Sequence, residues 1–215
     1  MWLNEFHRYS MIECSNVSCI RGNRVVFQNL SFSADSGVVT IIAGKNGCGK
    51  STLLRAIVGL VPVAFGCIRL NGEAISTSSS NISDITYIGH TNACIDHLTT
   101  LNMLEMWATM RNNVELIPAA VSFFSLHQVL DTKYKNLSSG WKRKVALSRL
   151  LVFNTDIWVI DEPFANLDTQ TALLVHNLIS TRAERRGIVL LSHHGSELSL
   201  ENANTIDLEA YSPHC

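Results

Sequence analysis

Runs of apolar and β-branched residues alternate along the chain with apolar residues at helical spacing. This alternation predicts an α/β fold with a mainly parallel central sheet. The run at 157–160 is apolar throughout and the run at 38–43 is apolar except for Thr40. We expect the strand at 38–43 to be buried on both faces. Further strands are predicted at 12–19, 25–32, 67–70, 86–89 and 188–191, and helices from the residues after 44 to Gly59, at 139–153 and at 169–185.

The alternation of strands and helices is interrupted once. From about 101 to 130 the apolar positions follow a helical pattern, which predicts a short helical insertion bounded at about 92–138. The Ser/Thr-rich stretch 76–83 predicts a surface loop. The sequence contains no internal repeat and no linker, so residues 1–215 are expected to form a single domain.

A glycine-rich segment joins the strand at 38–43 to the helix that follows. It satisfies the pattern G-x-x-x-x-G-K-[ST], whose glycines let successive backbone N–H groups point at phosphate oxygens. The lysine can place its ammonium between two phosphates, and the hydroxyl that follows can ligate Mg²⁺. We therefore predict a nucleotide-binding loop made of Gly44, Lys45, Asn46, Gly47, Cys48, Gly49, Lys50, Ser51 and the adjoining Thr52.

Two acids, Asp161 and Glu162, follow the buried strand at 157–160. Such a strand delivers its last side chains to the carboxyl edge of the sheet, beside the phosphate loop. Asp161 is predicted to hold Mg²⁺ through water. Glu162 is predicted to orient and polarise an attacking water as the general base.

Between these two motifs, a further segment opens a basic helix: Leu137, Ser138, Ser139, Gly140 and Trp141. It resembles the LSGGQ signature of ABC transporter ATPases. The order and spacing of Ala165-Asn166-Leu167-Asp168 and of Ser192-His193 also match that family's D-loop and switch histidine. The resemblance covers nearly the whole chain. It implies the P-loop ABC ATPase fold, an α/β fold that adds an antiparallel N-terminal β-subdomain and a short helical insertion to the mainly parallel sheet.

The resemblance further implies a head-to-tail dimer of two copies with two ATP molecules and Mg²⁺ between them. The signature of one copy would touch, through Ser138 and Gly140, the γ-phosphate that Lys50 of the other copy binds. His193 would contact that phosphate and Glu162, and Asp168 would cross the dimer interface. His194 is expected to be a bystander.

Three positions depart from the family pattern. Arg21 stands where an aromatic residue commonly stacks on adenine, and a guanidinium can also stack on a base. A solvent-exposed arginine in a turn is the other interpretation. His90 stands at the Q-loop glutamine, where its nitrogen could reach a metal-bound water. Trp141 replaces the last glutamine of the signature.

Within the family, three segments look most like the ATPase subunits of cytochrome c maturation haem exporters, the CcmA family. They are Ile20-Arg21-Gly22-Asn23-Arg24-Val25-Val26-Phe27, Tyr87-Ile88-Gly89-His90 and the basic helix 141–151. This likeness implies a peripheral subunit on the cytoplasmic face of a bacterial inner membrane, bound to a CcmB-like integral membrane permease. ATP hydrolysis would drive haem export or release of a haem-loaded chaperone in c-type cytochrome biogenesis.

Net charge, apolar runs and cysteine spacing argue against several classes of function and location. The net charge of −1 gives no basic field for nucleic acid, so no nucleic-acid partner is expected. No apolar run reaches the roughly 20 residues that span a bilayer. Residues 1–5 lack the features of a secretory signal. The six cysteines include no C-x-x-C pair and are expected to be reduced and structural.

Three alternatives stay open at this stage. The chain could serve an ABC transporter for another small molecule, since the membrane partner selects the substrate. It could be a soluble ABC ATPase that acts on ribosomes or DNA, although those proteins usually carry two cassettes or long insertions. It could also be a regulatory nucleotide-binding module without turnover, against which the presence of Glu162, Lys50, Ser138 and His193 argues.

Overall fold

The structure is a computed structural model that describes residues 9–75, 83–194, 200 and 202–213. Nine strands are assigned in these ranges: β1 Met11–Arg21, β2 Arg24–Asp35, β3 Val39–Ala43, β4 Phe65–Leu70, β5 Glu73–Ala74, β6 Ile85–Ile88, β7 Ile157–Ile160, β8 Ile188–His193 and β9 Ala203–Asp207. The α-helices are α1 Lys50–Ile57, α2 Thr100–Arg111, α3 Ile117–Phe123, α4 Ser139–Phe153 and α5 Thr169–Glu184.

Five strands form a parallel sheet in the order β6-β7-β8-β3-β9. All four residues of β7 are buried, and they alternate between two apolar clusters. Trp158 and Ile160 pack with the helices α2 to α5, whereas Ile157 and Val159 face the side that carries α1 and the second sheet. Val39 and Ile41 of β3 likewise belong to the first cluster and Ile42 to the second, so the expectation that β3 is buried on both faces is confirmed.

The second sheet is antiparallel, with the order β2-β1-β4-β5. Asn71 and Gly72 have positive φ angles of 50° and 85° in the turn between β4 and β5, as the Asn-Gly pair predicts. Strands β1 and β2 form a long hairpin in which Arg21 pairs with Arg24. Together the two sheets confirm the predicted α/β fold with an antiparallel N-terminal sheet.

The helical insertion consists of two α-helices with short 3₁₀ turns at Val114–Leu116, Leu126–Val129 and Tyr134–Asn136. Asn112 ends α2 in a left-handed conformation, with φ of 55°. Pro118 lies in the first turn of α3, where its missing N–H costs nothing. Both helices contribute apolar side chains to the cluster that also includes α4, so the insertion shares the core of the parallel sheet.

Several sequence-based boundaries change. Strands β1 and β2 extend beyond their predicted ends, α1 stops at Ile57, and β8 continues through His193. Strand β9 was not predicted. Residues 76–82, most of the predicted surface loop, and residues 1–5 lie outside the described residues. In the part of the chain that is described, no helix is long and apolar enough to cross a membrane.

Candidate nucleotide-binding site

The phosphate loop joins the carboxyl end of β3 to the first turn of α1 and depends on glycine. Gly44 and Gly49 have φ angles of 142° and 112°, which side chains with a Cβ rarely adopt. A Cβ at Gly49 would lie 2.5 Å from Cγ1 of Val26, so the loop also packs tightly on β2. The loop therefore keeps its backbone open to a ligand on one side while it contacts the antiparallel sheet on the other.

Lys50 lies inside the curve of this loop with only 5% of its surface exposed. Its Nζ donates to the carbonyl oxygens of Gly44 at 2.5 Å and of Lys45 at 2.9 Å. Nδ1 of His194 lies 3.3 Å from the same ammonium. The buried ammonium is thus held against the backbone of the loop, where its positive charge can attract phosphate oxygens.

A cavity of about 440 Å³ opens over the loop. Its floor includes Asn46, Gly47, Gly49, Lys50, Ser51 and Thr52, and its other walls include Arg21, Arg24, Val26, His90, Glu162 and Ser212. A volume of this size is typical of small-molecule sites. The cavity therefore brings together the phosphate loop, the position at which adenine stacking was predicted and the predicted general base.

Asp161 follows β7 and is buried, with 1% of its surface exposed. Oδ1 accepts a hydrogen bond of 2.6 Å from the Ser192 hydroxyl, whereas Oδ2 has no hydrogen-bond partner among the described residues. A buried carboxylate oxygen without a partner is costly, and a cation or its water shell would satisfy it. A carboxylate oxygen of Asp161 and the hydroxyl of Ser51 are each the kind of oxygen ligand that Mg²⁺ takes, with phosphates and water completing its shell.

Glu162 has a left-handed backbone, with φ of 49°. Its N–H donates to the Ser192 hydroxyl at 2.9 Å. Its carboxylate contacts Nε2 of His194 through Oε1, and Nδ1 of His90 lies 3.5 Å from Oε2. The carboxylate is therefore held between two imidazoles and lines the cavity above Lys50.

The two adjacent histidines take different positions. His193 is the last residue of β8, its ring meets Phe164 edge to face at 6.4 Å, and burial lowers its pKa. His194 lies just beyond the strand and contacts both Lys50 and Glu162. The expectation that His194 is a bystander is therefore wrong. The two-residue difference between the predicted and the observed end of β8 is the cause, because it moves the first residue after the strand from 192 to 194.

The signature segment lies away from the cavity. Ser138 caps α4, where its hydroxyl accepts a hydrogen bond of 3.4 Å from the N–H of Trp141. None of the residues described at 137–141 is among those that line the cavity above Lys50.

Asp168 caps α5 and connects it to α4. Its carboxylate accepts the N–H and the hydroxyl of Thr171, each at 2.8 Å, and lies 3.3 Å from Nζ of Lys144. The hydrogen bond from the Thr171 N–H lowers the pKa of Asp168 to about 2, with the Thr171 hydroxyl and Lys144 acting in the same direction. The predicted D-loop residue therefore stays charged at the start of α5.

Two contacts at the site were not predicted. The sequence shows Arg143 only as part of a basic helix. In the structure it is buried and donates to the backbone carbonyls of Gly89, which precedes His90, and of Asp161, which precedes Glu162. Its position in the apolar register with Leu147 and Leu150, one and two turns on, is a sequence signal that could have revealed this burial. At the other side of the loop, Glu209 accepts the N–H of Lys45 at 2.7 Å and pairs with its Nζ at 3.1 Å.

Comparisons with known proteins agree with this geometry. The model of the family described as "ABC transporter" matches residues 27–165, a span that includes the phosphate loop, the signature segment and the two acids. A solved structure described as a putative ABC transporter ATP-binding protein from Pyrococcus furiosus superposes with a TM-score of 0.80 at 24% identity, covering 94% of this chain and 100% of that one. The fold is therefore that of ABC ATP-binding subunits.

Curated relatives narrow the family. The "Cytochrome c biogenesis ATP-binding export protein CcmA" of Wolbachia pipientis wMel is 48% identical over 202 residues, which is 94% of this chain and 98% of that protein. The protein of the same name from Rickettsia bellii (strain RML369-C) is 37% identical over 183 residues, 85% of this chain and 92% of that protein. The chain therefore belongs to the ABC transporter family and, within it, to the CcmA proteins.

Proposed function

We propose that this chain is the ATP-hydrolysing subunit of an ABC transporter that drives haem export, or release of a haem-loaded chaperone, in c-type cytochrome biogenesis. The observation that carries the hydrolytic part is the Glu162 carboxylate, which lines the same cavity as the buried Lys50 ammonium. The relatives' name, which states cytochrome c biogenesis and export, supports the pathway. Haem is the proposed cargo.

Binding begins at the phosphate loop. The N-terminal end of α1 favours the phosphates, and Lys50 can exchange its contacts to Gly44 and Lys45 for phosphate oxygens. Arg21 lies on the wall of the same cavity, so its guanidinium can stack on adenine. Ser51 and Asp161 would hold Mg²⁺, which neutralises charge on the phosphates when it is bound.

Hydrolysis requires a water in line with the γ-phosphate. Glu162 is proposed to accept a proton from that water. His194 engages Oε1 of Glu162 and lies beside Lys50, which favours it over His193 as the switch histidine that bridges the general base and the γ-phosphate. His90 lies near Oε2 and is proposed to fill the Q-loop position by holding the water or its metal-bound neighbour.

A second copy would complete the site head to tail. Ser138 and Gly140 of that copy would present the N-terminal end of α4 to the γ-phosphate, where the helix dipole and free N–H groups stabilise negative charge. Asp168 would lie at the interface between the copies. A CcmB-like permease would anchor this dimer to the cytoplasmic face of a bacterial inner membrane. No nucleic-acid partner is proposed for a chain of net charge −1.

The pathway is tested by trapping the assembly. Glu162→Gln protein, expressed in its native cells, is solubilised from membranes with ATP and recovered with its bound proteins, which mass spectrometry identifies. The parent chain without ATP serves as the comparison. Recovery of the membrane subunit of a cytochrome c maturation system, together with loss of covalent haem from the cells' c-type cytochromes, would support the proposal. An unrelated permease with unchanged cytochromes would refute the haem assignment.

A further inference from the structure

Arg143 projects from α4 into the space between the segment that carries His90 and the segment that carries Asp161 and Glu162. Its side chain is buried, with 3% of the residue exposed. Nη2 donates to the carbonyl oxygens of Asp161 at 2.6 Å and Glu162 at 2.7 Å. Nη1 donates to the carbonyl of Gly89 at 3.1 Å and to Oδ1 of Asn92 at 3.0 Å. One guanidinium therefore binds the segment that ends β7 and the segment that carries His90.

The backbone at Glu162 needs such support. A left-handed φ of 49° at a residue with a full side chain is strained, and it persists only where neighbouring groups hold it in place. Arg143 fixes the carbonyls on both sides of that φ, and Ser192 fixes the N–H. The direction in which the Glu162 side chain leaves the backbone is thus set by these bonds.

The same guanidinium fixes the other partner of the carboxylate. Gly89 directly precedes His90, and the bond from Arg143 to its carbonyl holds the backbone at that point. A second arginine of α4, Arg149, donates to the carbonyl of Asn92 at 2.8 Å and ties the end of the segment to the same helix. The backbone before His90 and the backbone at Glu162 are therefore both held by α4, and Nδ1 of His90 lies 3.5 Å from Oε2 of Glu162.

We propose that Arg143 is a positioning residue for ATP hydrolysis, which fixes Glu162 and His90 relative to the N-terminus of α4. That N-terminus carries Ser138 and Gly140, so α4 connects the signature of one nucleotide site to the general base of the other. A lysine cannot replace this function fully, because its single ammonium lacks the planar fork that reaches two pairs of acceptors. The proposal rests on Glu162 being the general base.

The test compares kcat with ATP affinity in purified full-length chains. Arg143→Gln is expected to lower kcat by about 10- to 100-fold, because a small displacement of catalytic groups costs that much. The dissociation constant for ATP, measured with a fluorescent analogue, should stay near the parent value, because no phosphate-loop contact is lost. Arg143→Lys should recover part of the rate. Arg182→Gln is the control, because Arg182 is equally buried but pairs with Asp156 instead.

A double-mutant comparison separates positioning from a general loss of structure. If Arg143 acts through Glu162, adding Arg143→Gln to Glu162→Gln should cause little further loss of rate. Three results would overturn the proposal: an unchanged kcat in Arg143→Gln, an equal loss in Arg182→Gln, or losses that multiply in the double variant. If Arg143→Gln does not fold, the same comparisons are made with Arg143→Lys. Full activity of Glu162→Gln alone would instead refute the proposed general base.

Discussion

Replacing Ser192 with alanine should destabilise the protein strongly, although the change removes one oxygen atom. Ser192 is fully buried at the end of β8. Its hydroxyl donates to Asp161 Oδ1 at 2.6 Å and accepts from the N–H of Glu162 at 2.9 Å. In Ser192→Ala, Asp161 would have no hydrogen-bond partner for either carboxylate oxygen among the described residues, and the Glu162 N–H would lose its acceptor.

The magnitude follows from these two lost bonds. A buried polar group left without a partner costs about 1–3 kcal/mol, and more when it is charged. Two such groups give a loss of about 2–6 kcal/mol, which is a large part of the roughly 5–15 kcal/mol that stabilises a typical domain. For a chain of this size, each kcal/mol shifts the melting temperature by about 2–4 °C, so a fall of about 4–24 °C is expected.

Urea unfolding at neutral pH, without nucleotide or Mg²⁺, measures the free energy of unfolding. Ser33→Ala is the matched control, because Ser33 also donates to a carboxylate, Asp35 at 3.2 Å, but on an exposed surface. An exposed change of this kind is expected within about 0.5 kcal/mol of the parent. If Ser192→Ala were as stable as Ser33→Ala, the reasoning about the buried Asp161 carboxylate would be refuted.

Three further predictions concern the phosphate loop, Arg21 on the wall of the cavity and Asp168 at the start of α5. Gly49→Ala should weaken ATP binding by more than about tenfold, since its Cβ would meet Val26 at 2.5 Å, whereas Gly72→Ala, with open space around its Cβ, should bind normally in the same titration. Arg21→Ala should weaken ATP binding by about 2- to 30-fold through loss of stacking, and an unchanged affinity would contradict that contact. Asp168→Ala should destabilise the protein at pH 7 in urea unfolding, and the difference from the parent should shrink as the pH falls from about 4 to about 2. The reason is that a carboxyl whose pKa is lowered from 3.8 to about 2 stabilises the fold only while it is charged.

Elements with strong local signals could be predicted from the sequence. The bounds of α4 agree with the prediction at both ends, because Ser138 is a good N-cap and Asn154 ends the helix in a left-handed conformation. The bounds of β7 agree as well, since four apolar residues stop at two acids. The phosphate loop was found for the same reason, because its function depends on residues that are contiguous in the chain.

Features that depend on tertiary contacts were missed. The helical insertion itself was predicted, but the break between its two helices was not, because apolar residues continue past Asn112, where the backbone turns. The assignment of His194 depended on where β8 ends, and strand ends are poorly marked in a run such as Ile188–His193. In the sequence Arg143 is one of three consecutive basic residues with Lys142 and Lys144, and only the contact of α4 with the end of β7 shows what it binds.

The central claim is that Glu162 is the general base of an ATPase, and the direct test is the rate of ATP hydrolysis by Glu162→Gln and the parent chain. Removal of a general base should lower kcat by about 10²–10⁴-fold, while ATP affinity is retained because Lys50 and its loop are unchanged. Glu184→Gln, an exposed change at the end of α5, should hydrolyse ATP like the parent. Equal rates for Glu162→Gln and the parent would contradict the account.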